Sequence, residues 1–219
     1  MLGLIFVIVL IVLILLTVIA LLYVPVKHGL EKRLHKKRVY KTVRYFADEQ
    51  DCYLLNDVHL FTDASDSEPV VFEHLIFGEK YVYIISTFVG FGGVYGNLAD
   101  SNLFMKKSNG DITNIPNPVL LGKERVRQLE GCLMAKHDKH MFVAITVYNP
   151  SLVVPKGIHV RDSVSCFLPI NELEDTLMQA EKDSVTTLSD EARNKTVNLI
   201  KARSDEIKKT VENSKRKKK

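Results

Sequence analysis

Few of the side chains able to do chemistry in this chain stand at a spacing that chemistry needs. His137 and His140, three residues apart, have the separation of a metal-chelating pair, yet no third ligand accompanies them. They fall at the expected end of a helix, where cationic side chains settle. Gly90, Gly92, Gly93 and Gly96 follow an apolar run, but no Lys-Ser or Lys-Thr comes after them. Tyr95 stands where a dinucleotide loop needs its third glycine, so the reading is a bent hairpin. Ser86 has neither a G-x-S-x-G elbow nor a partnered base, which argues against a hydrolase nucleophile. Cys52, Cys132 and Cys166 are widely separated among apolar residues; they read as reduced core thiols and make no zinc pattern. What remains is a pair of short runs, Phe72-Glu73-His74-Leu75 and Ile85-Ser86-Thr87-Phe88, on either side of a Gly78-Glu79-Lys80 turn.

These runs belong to a longer succession: Tyr53-Leu54-Leu55-Asn56-Asp57-Val58-His59-Leu60, then Val70 to Phe77, Tyr81 to Phe88, Gly92-Gly93-Val94-Tyr95-Gly96, and later Asn117-Pro118 before a helical pattern. The order and wording resemble the nuclease-related domain (NERD) family, whose members typically read "IDHL" and then "IETKN" at the two runs; a bacterial source would suit it. The resemblance implies a phosphodiester nuclease of the PD-(D/E)-x-K type, in which acidic side chains hold a hard divalent cation and a lysine sits beside the attacking water. Successive strand residues point to opposite faces, so an E-x-K spacing puts carboxylate and ammonium on one face, beside the acid of the neighbouring strand.

The positions matched here are Glu73, Ser86 and Phe88. Glu73 keeps a carboxylate, whereas Ser86 replaces the second acid and Phe88 the lysine. The family's further acid, in the helix before the first strand, falls near Lys36, with Glu31 the only acid in that region and poorly placed. One carboxylate is too little charge for a hydrated magnesium ion, and phenylalanine can neither orient nor deprotonate water. The face is therefore expected to be a degenerate nuclease face with no catalytic residue, no metal ligand and no cofactor. The competing reading is a membrane-tethered nuclease that has relocated its ligands to His74, Glu79 or Asp100 and uses magnesium, although His74 and Glu73 point to opposite faces of a strand.

The elements that must position this face are legible from pattern. Tyr53 to Phe61, Val70 to Phe77 and Lys80 to Phe88 read as strands from their Val, Ile, Tyr and Phe content, with an Asp63-Ala64-Ser65-Asp66-Ser67 loop between the first two. Asn117 reads as an N-cap with Pro118 at the first helical position, and Val126, Leu129 and Leu133 give that helix one apolar face. Met141 to Tyr148 has the pattern of a buried strand, and Ser163 to Phe167 that of another. The expected fold class is α/β. By the resemblance it is a restriction-endonuclease-like mixed sheet flanked by helices, preceded by one transmembrane helix and followed by a C-terminal helix.

From Leu2 to Val26 no residue is charged, long enough as a helix to outreach a hydrocarbon core of roughly 30 Å. The start lacks basic residues and the run ends Tyr23-Val24-Pro25, which favours an uncleaved anchor over a signal peptide. Lys27, Lys32, Arg33, Lys36, Lys37 and Arg38 follow at once, so the positive-inside rule places the N-terminus outside the cell membrane and the rest in the cytoplasm. These side chains are also the expected contacts to an anionic membrane surface.

The net charge of +4 hides an uneven distribution. Between Tyr45 and Ser204 acids outnumber bases, which argues against a broad DNA-gripping face. A local patch of Lys106, Lys107, Lys123, Arg125 and Arg127 leaves nucleic acid as an open partner. The domain plan is residues 1–26 as anchor, 27–46 as a basic juxtamembrane helix, 47–177 as the NERD-like domain and 178–219 as a polar helix with a basic tail. Val197, Ile200, Ser204, Ile207 and Val211 follow three-four spacing, so the C-terminal helix is expected to project from the domain, either offering a seam for a short coiled coil or a protein partner or standing as a single solvated helix.

Overall fold

A computed structural model describes the chain except for residue 1 and residues 63–67, 108, 134–140, 156–157, 159, 162–163, 184–188 and 218–219. It divides into two compact units, Met1–Lys37 and Arg38–Lys219. His137, His140, Ser163 and the loop at 63–67 lie outside the described residues.

The first unit lies within a single helix, α1 (Leu2–Glu49), which takes Pro25 into its interior. Its apolar side chains from Phe6 to Ile19 and from Leu22 to Val26 are exposed on all sides, and its mean hydropathy reaches 3.4. No stripe of one polarity is favoured, so the helix is apolar on every side. The helix is long and apolar enough to cross a membrane. The basic stretch from Glu31 to Phe46 carries on from the apolar run in the same helix, as the sequence led one to expect. Lys27, Lys32, Arg33, Lys36, Lys37 and Arg38 are exposed along it.

The second unit is α/β and opens with the last turns of α1. Val39, Val43, Phe46 and Ala47 recur at helical spacing, and all four are buried. They cover one face of a six-stranded mixed sheet, packing with Ile76, Tyr83, Ile85, Val143, Ile145, Leu173 and Leu177. That sheet is built from β1 (Tyr53–Leu60), β2 (Val70–Phe77), β3 (Tyr81–Phe88), β7 (Met141–Tyr148), β9 (Val160–Arg161) and β10 (Ser165–Pro169), in the order β1-β2-β3-β7-β10-β9. The first three strands run antiparallel, and β7 and β10 continue the sheet in parallel from β3. Val- and Ile-rich central strands fit such a sheet because both of its faces are covered.

Helix α2 (Pro118–Leu133) covers the opposite face with Val126, Leu129, Cys132 and Leu133. Its start is fixed by Asn117, whose Oδ1 accepts from Val119 N at 3.0 Å while Nδ2 donates to Leu98 O and Asp100 O. Helix α3 (Leu173–Asp183), preceded by a 3-10 turn at Ile170–Glu172, joins the α1 side.

The C-terminal helix does not project. In α4 (Asp190–Lys217), Val197 and Ile200 are buried in the α2-side cluster, and the buried Ser204 accepts a hydrogen bond from His59 N at 3.0 Å. Lys208 reaches Asp57 at 3.1 Å. The seam visible in the sequence is filled by the chain's own edge strand β1, and its polar member serves that strand's backbone. Asp57, at φ 53°, lies in the left-handed region that aspartate tolerates better than most residues.

The glycine run expected as a bent hairpin instead starts a second sheet of four strands, β6 (Ile112–Pro116), β5 (Asn102–Lys106), β4 (Gly92–Tyr95) and β8 (Leu152–Val153), in that order. Gly92 sits at φ 127°, and a Cβ there would fall on the carbonyl of Lys106. Only glycine combines that conformation with that approach.

Candidate functional site

Register brings Glu73 and Ser86 to one face. β2 and β3 pair His74 with Ile85 at the end of their antiparallel ladder, and Glu73 and Ser86, the next residue along each strand, both line the same cleft. Across the parallel pair, Ser86 stands opposite Thr146 and Phe88 opposite Tyr148. Glu73, Ser86 and Phe88 line one cleft of about 420 Å³, together with Thr87, Thr146 and Arg125. The remaining walls are apolar: Val71 and Ile84 from the sheet, Pro116 from β6, and Pro118 and Leu121 from α2. The cleft has depth because α2 crosses close above the sheet at Gly122. A Cβ there would run into the Ser165 hydroxyl and come within 3.2 Å of Ala144 Cβ.

The polar groups of the cleft serve one another. Glu73 Oε2 accepts from Thr87 N at 2.6 Å and from Thr87 Oγ1 at 2.7 Å. The β2–β3 ladder ends at His74 and Ile85, so the carboxylate gives the Thr87 amide an acceptor beyond it. Arg125 carries the opposite charge on the same cleft. Burial pushes its guanidinium below the usual arginine range, opposed by attraction to Glu73 and then to Glu124. The same guanidinium lies 5.6 Å from the centre of the Phe72 ring, within cation–π range. Phe88 packs edge-to-face on Phe167, with ring centres 5.8 Å apart.

This arrangement has consequences for metal chemistry. A divalent ion beside Glu73 would meet a carboxylate already engaged by two donors, a guanidinium on the same cleft, and neutral hydroxyls at Ser86 and Thr146. Those hydroxyls bring no charge to offset the ion's desolvation. Among the described residues, no group of three or more His, Cys, Asp and Glu side chains is placed to hold a metal ion. The residues named as substitute ligands are not gathered at the cleft. His74 turns to the other face, where Nδ1 lies 2.7 Å from Asn56 Oδ1 and the ring 6.0 Å from that of Tyr40. Glu79 belongs to the β2–β3 turn and Asp100 to the turn before β5, and neither lines the cleft. Glu31 and Lys36 lie in the first unit.

Arg125, which the sequence groups with Lys106, Lys107, Lys123 and Arg127 in a local basic patch, is half-buried and lines the cleft, a placement that sequence reasoning missed. The signal that would have found it is the helical spacing Leu121, Gly122, Arg125, a face one turn wide in which the glycine marks close approach. Thr87 was passed over because it alternates away from Ser86, yet its backbone amide reaches Glu73. Comparison with known proteins adds no relative: no family model, curated protein or solved structure matches the chain.

Proposed function

We propose that this chain is a single-pass membrane protein that presents a catalytically silent nuclease-related domain, of restriction-endonuclease-like fold, to the cytoplasm, where it works by binding or scaffolding. The observation that carries the reading is the hydrogen bonding of Glu73 to Thr87, with the Arg125 guanidinium on the same cleft, where a NERD-type nuclease would hold its metal. A site for a hydrated cation needs surplus negative charge, and this one is internally balanced. The apolar helix with exposed basic residues from Lys27 to Arg38 supports the anchor and its orientation, with the N-terminus outside. The binding partner is sought on the domain surface, because the seam of α4 is already occupied by β1.

Two measurements test this reading. Manganese titrated into the purified chain in neutral nanodiscs should give no paramagnetic broadening of resonances from Ser86, Thr87 and Thr146. Selective broadening there would establish a metal site and refute it. Protease added to intact cells should leave the domain uncut, and digestion from outside would overturn the orientation.

A further inference from the structure

The second sheet has one buried and one open face, and the open face has an unusual composition. Val94, Leu103, Ile115 and Leu152 alternate inward to a core with Tyr148 and Phe167. The register sets the outward residues in rows: Tyr95 opposite Phe104 opposite Asn114, then Val153, Gly93, Lys106 and Ile112. Tyr95 and Phe104 are 53% and 46% exposed, and Ile112 and Val153 are 67% and 68% exposed. Aromatic side chains left in water on neighbouring strands form a surface made for contact.

The Tyr95 ring does not stand upright from the sheet. A Cβ at Gly93 would lie 2.8 Å from Tyr95 Oη and 3.1 Å from Cε2 and Cζ, so the ring folds back over the glycine in the space a side chain would fill. One side of the ring rests on the sheet and the other is open, with Phe104 beside it across the ladder. Lys106 is the strand partner of Gly93, the residue over which the ring folds, and Lys107 follows it; both lysines are exposed. None of the four strands contains Asp or Glu. Asp111, in the turn joining β5 and β6, has its carboxylate hydrogen-bonded by Asn109 at 2.6 Å. At the end of the sheet Pro116, paired with Asn102, also lines the cleft that holds Arg125.

We propose that the open face of this sheet binds single-stranded nucleic acid, with bases stacking on Tyr95 and Phe104 and the backbone phosphates following Lys106 and Lys107. Stacking needs flat rings with a free side at strand spacing, which a duplex with its bases already stacked cannot use. Phosphate contact needs cations without competing carboxylates, and this is an acid-free sheet on a domain where acids outnumber bases. The amides of Asn102 and Asn114, exposed on the same face, are suited to base edges and poorly suited to lipid. The inference supplies a ligand class for the binding role proposed above, but it stands on the outer sheet and not on the state of the cleft.

The test uses the full chain in neutral-lipid nanodiscs and a short fluorescein-labelled oligothymidylate, read by fluorescence anisotropy. Tyr95→Ala and Phe104→Ala should each weaken binding about tenfold, the loss expected for one stacked base. Tyr95→Phe, which keeps the ring, should bind as the parent does and show that loss in the alanine variant is not misfolding. Lys106→Gln should flatten the salt dependence, and a duplex of the same length should bind more weakly than the single strand. Glu73→Gln, a change confined to the cleft, should leave oligonucleotide binding unchanged, so failure of the silent-cleft reading is read separately, by metal. Absence of oligonucleotide binding, binding by Tyr95→Ala and Phe104→Ala as tight as the parent's, or an affinity for duplex equal to that for the single strand would overturn the proposal. It would also be overturned if these variants instead lost association with anionic vesicles or with a second copy of the chain.

Discussion

Replacing Glu73 by alanine should destabilise the second unit while removing no activity, because the side chain is bound into the sheet. Its Oε2 holds two donors of Thr87, at 2.6 and 2.7 Å, and removal strands both. A hydrogen bond to a charged group contributes about 1.5–3 kcal/mol. The two bonds share one oxygen on a half-exposed residue, so they do not add, and about 2 kcal/mol is the net expectation. Arg125 adds to the effect, since its partly buried guanidinium loses the main negative charge that opposes its desolvation. For a domain of this size the melting temperature should fall on the order of 5 °C. Glu73→Gln, which retains a carbonyl acceptor, should fall about half as far. The assay is thermal melting followed by circular dichroism, with chemical denaturation as a second measure. A Glu73→Ala chain that melts with the parent would refute the reasoning, because a carboxylate poised for a metal rather than for Thr87 would be relieved by its removal.

Gly122→Ala should cost about 1–3 kcal/mol by overpacking against Ser165 and Ala144, despite the gain in helix propensity, and a lowered denaturation midpoint with the slope unchanged would show it. Ile200→Ala should cost about 2–4 kcal/mol in the same assay, since Ile200 is buried in the α2-side core; a projecting α4 would predict no loss. Glu181 gives a pH dependence. Burial raises its carboxyl above the usual glutamate range, although Tyr83 donates to it at 2.8 Å. Its contribution is therefore full below the pKa of the unfolded chain and is lost as pH rises through the raised value. Glu181→Gln, which keeps the acceptor for Tyr83, should gain stability relative to the parent at neutral pH and not in mild acid, as a pH series of melts would reveal.

What could be read from the chain depended on how local its physics is. Strands β2 and β7 were legible to the residue, from Val70 to Phe77 by Val, Ile and Phe content between turn residues and from Met141 to Tyr148 as an apolar run ended by Asn149-Pro150. The α2 start was equally plain, since Asn117 and Pro118 act within one turn. Strands β5 and β6 were missed: Asn102–Lys106 and Ile112–Pro116 are short and mostly exposed, so alternation is weak, and what defines them is pairing with one another. The apolar spacing of α4 was seen but its partner was not. Ser204 meets His59 across 145 residues of chain, and no local pattern says that an edge strand, and not a second helix, fills a seam. Within the cleft, alternation placed Glu73, Ser86 and Phe88 together. Arg125 required knowing where α2 crosses the sheet, which Gly122 signals only once the close approach is seen.

The most direct test of the central claim is cleavage of single- and double-stranded DNA by the purified full chain with magnesium or manganese, run beside Glu73→Ala. An internally balanced cleft without the second acid or the lysine should give no metal-dependent cutting by either protein. Cutting by the parent that the metal supports and Glu73→Ala abolishes would show that other ligands complete the site, and would contradict the account.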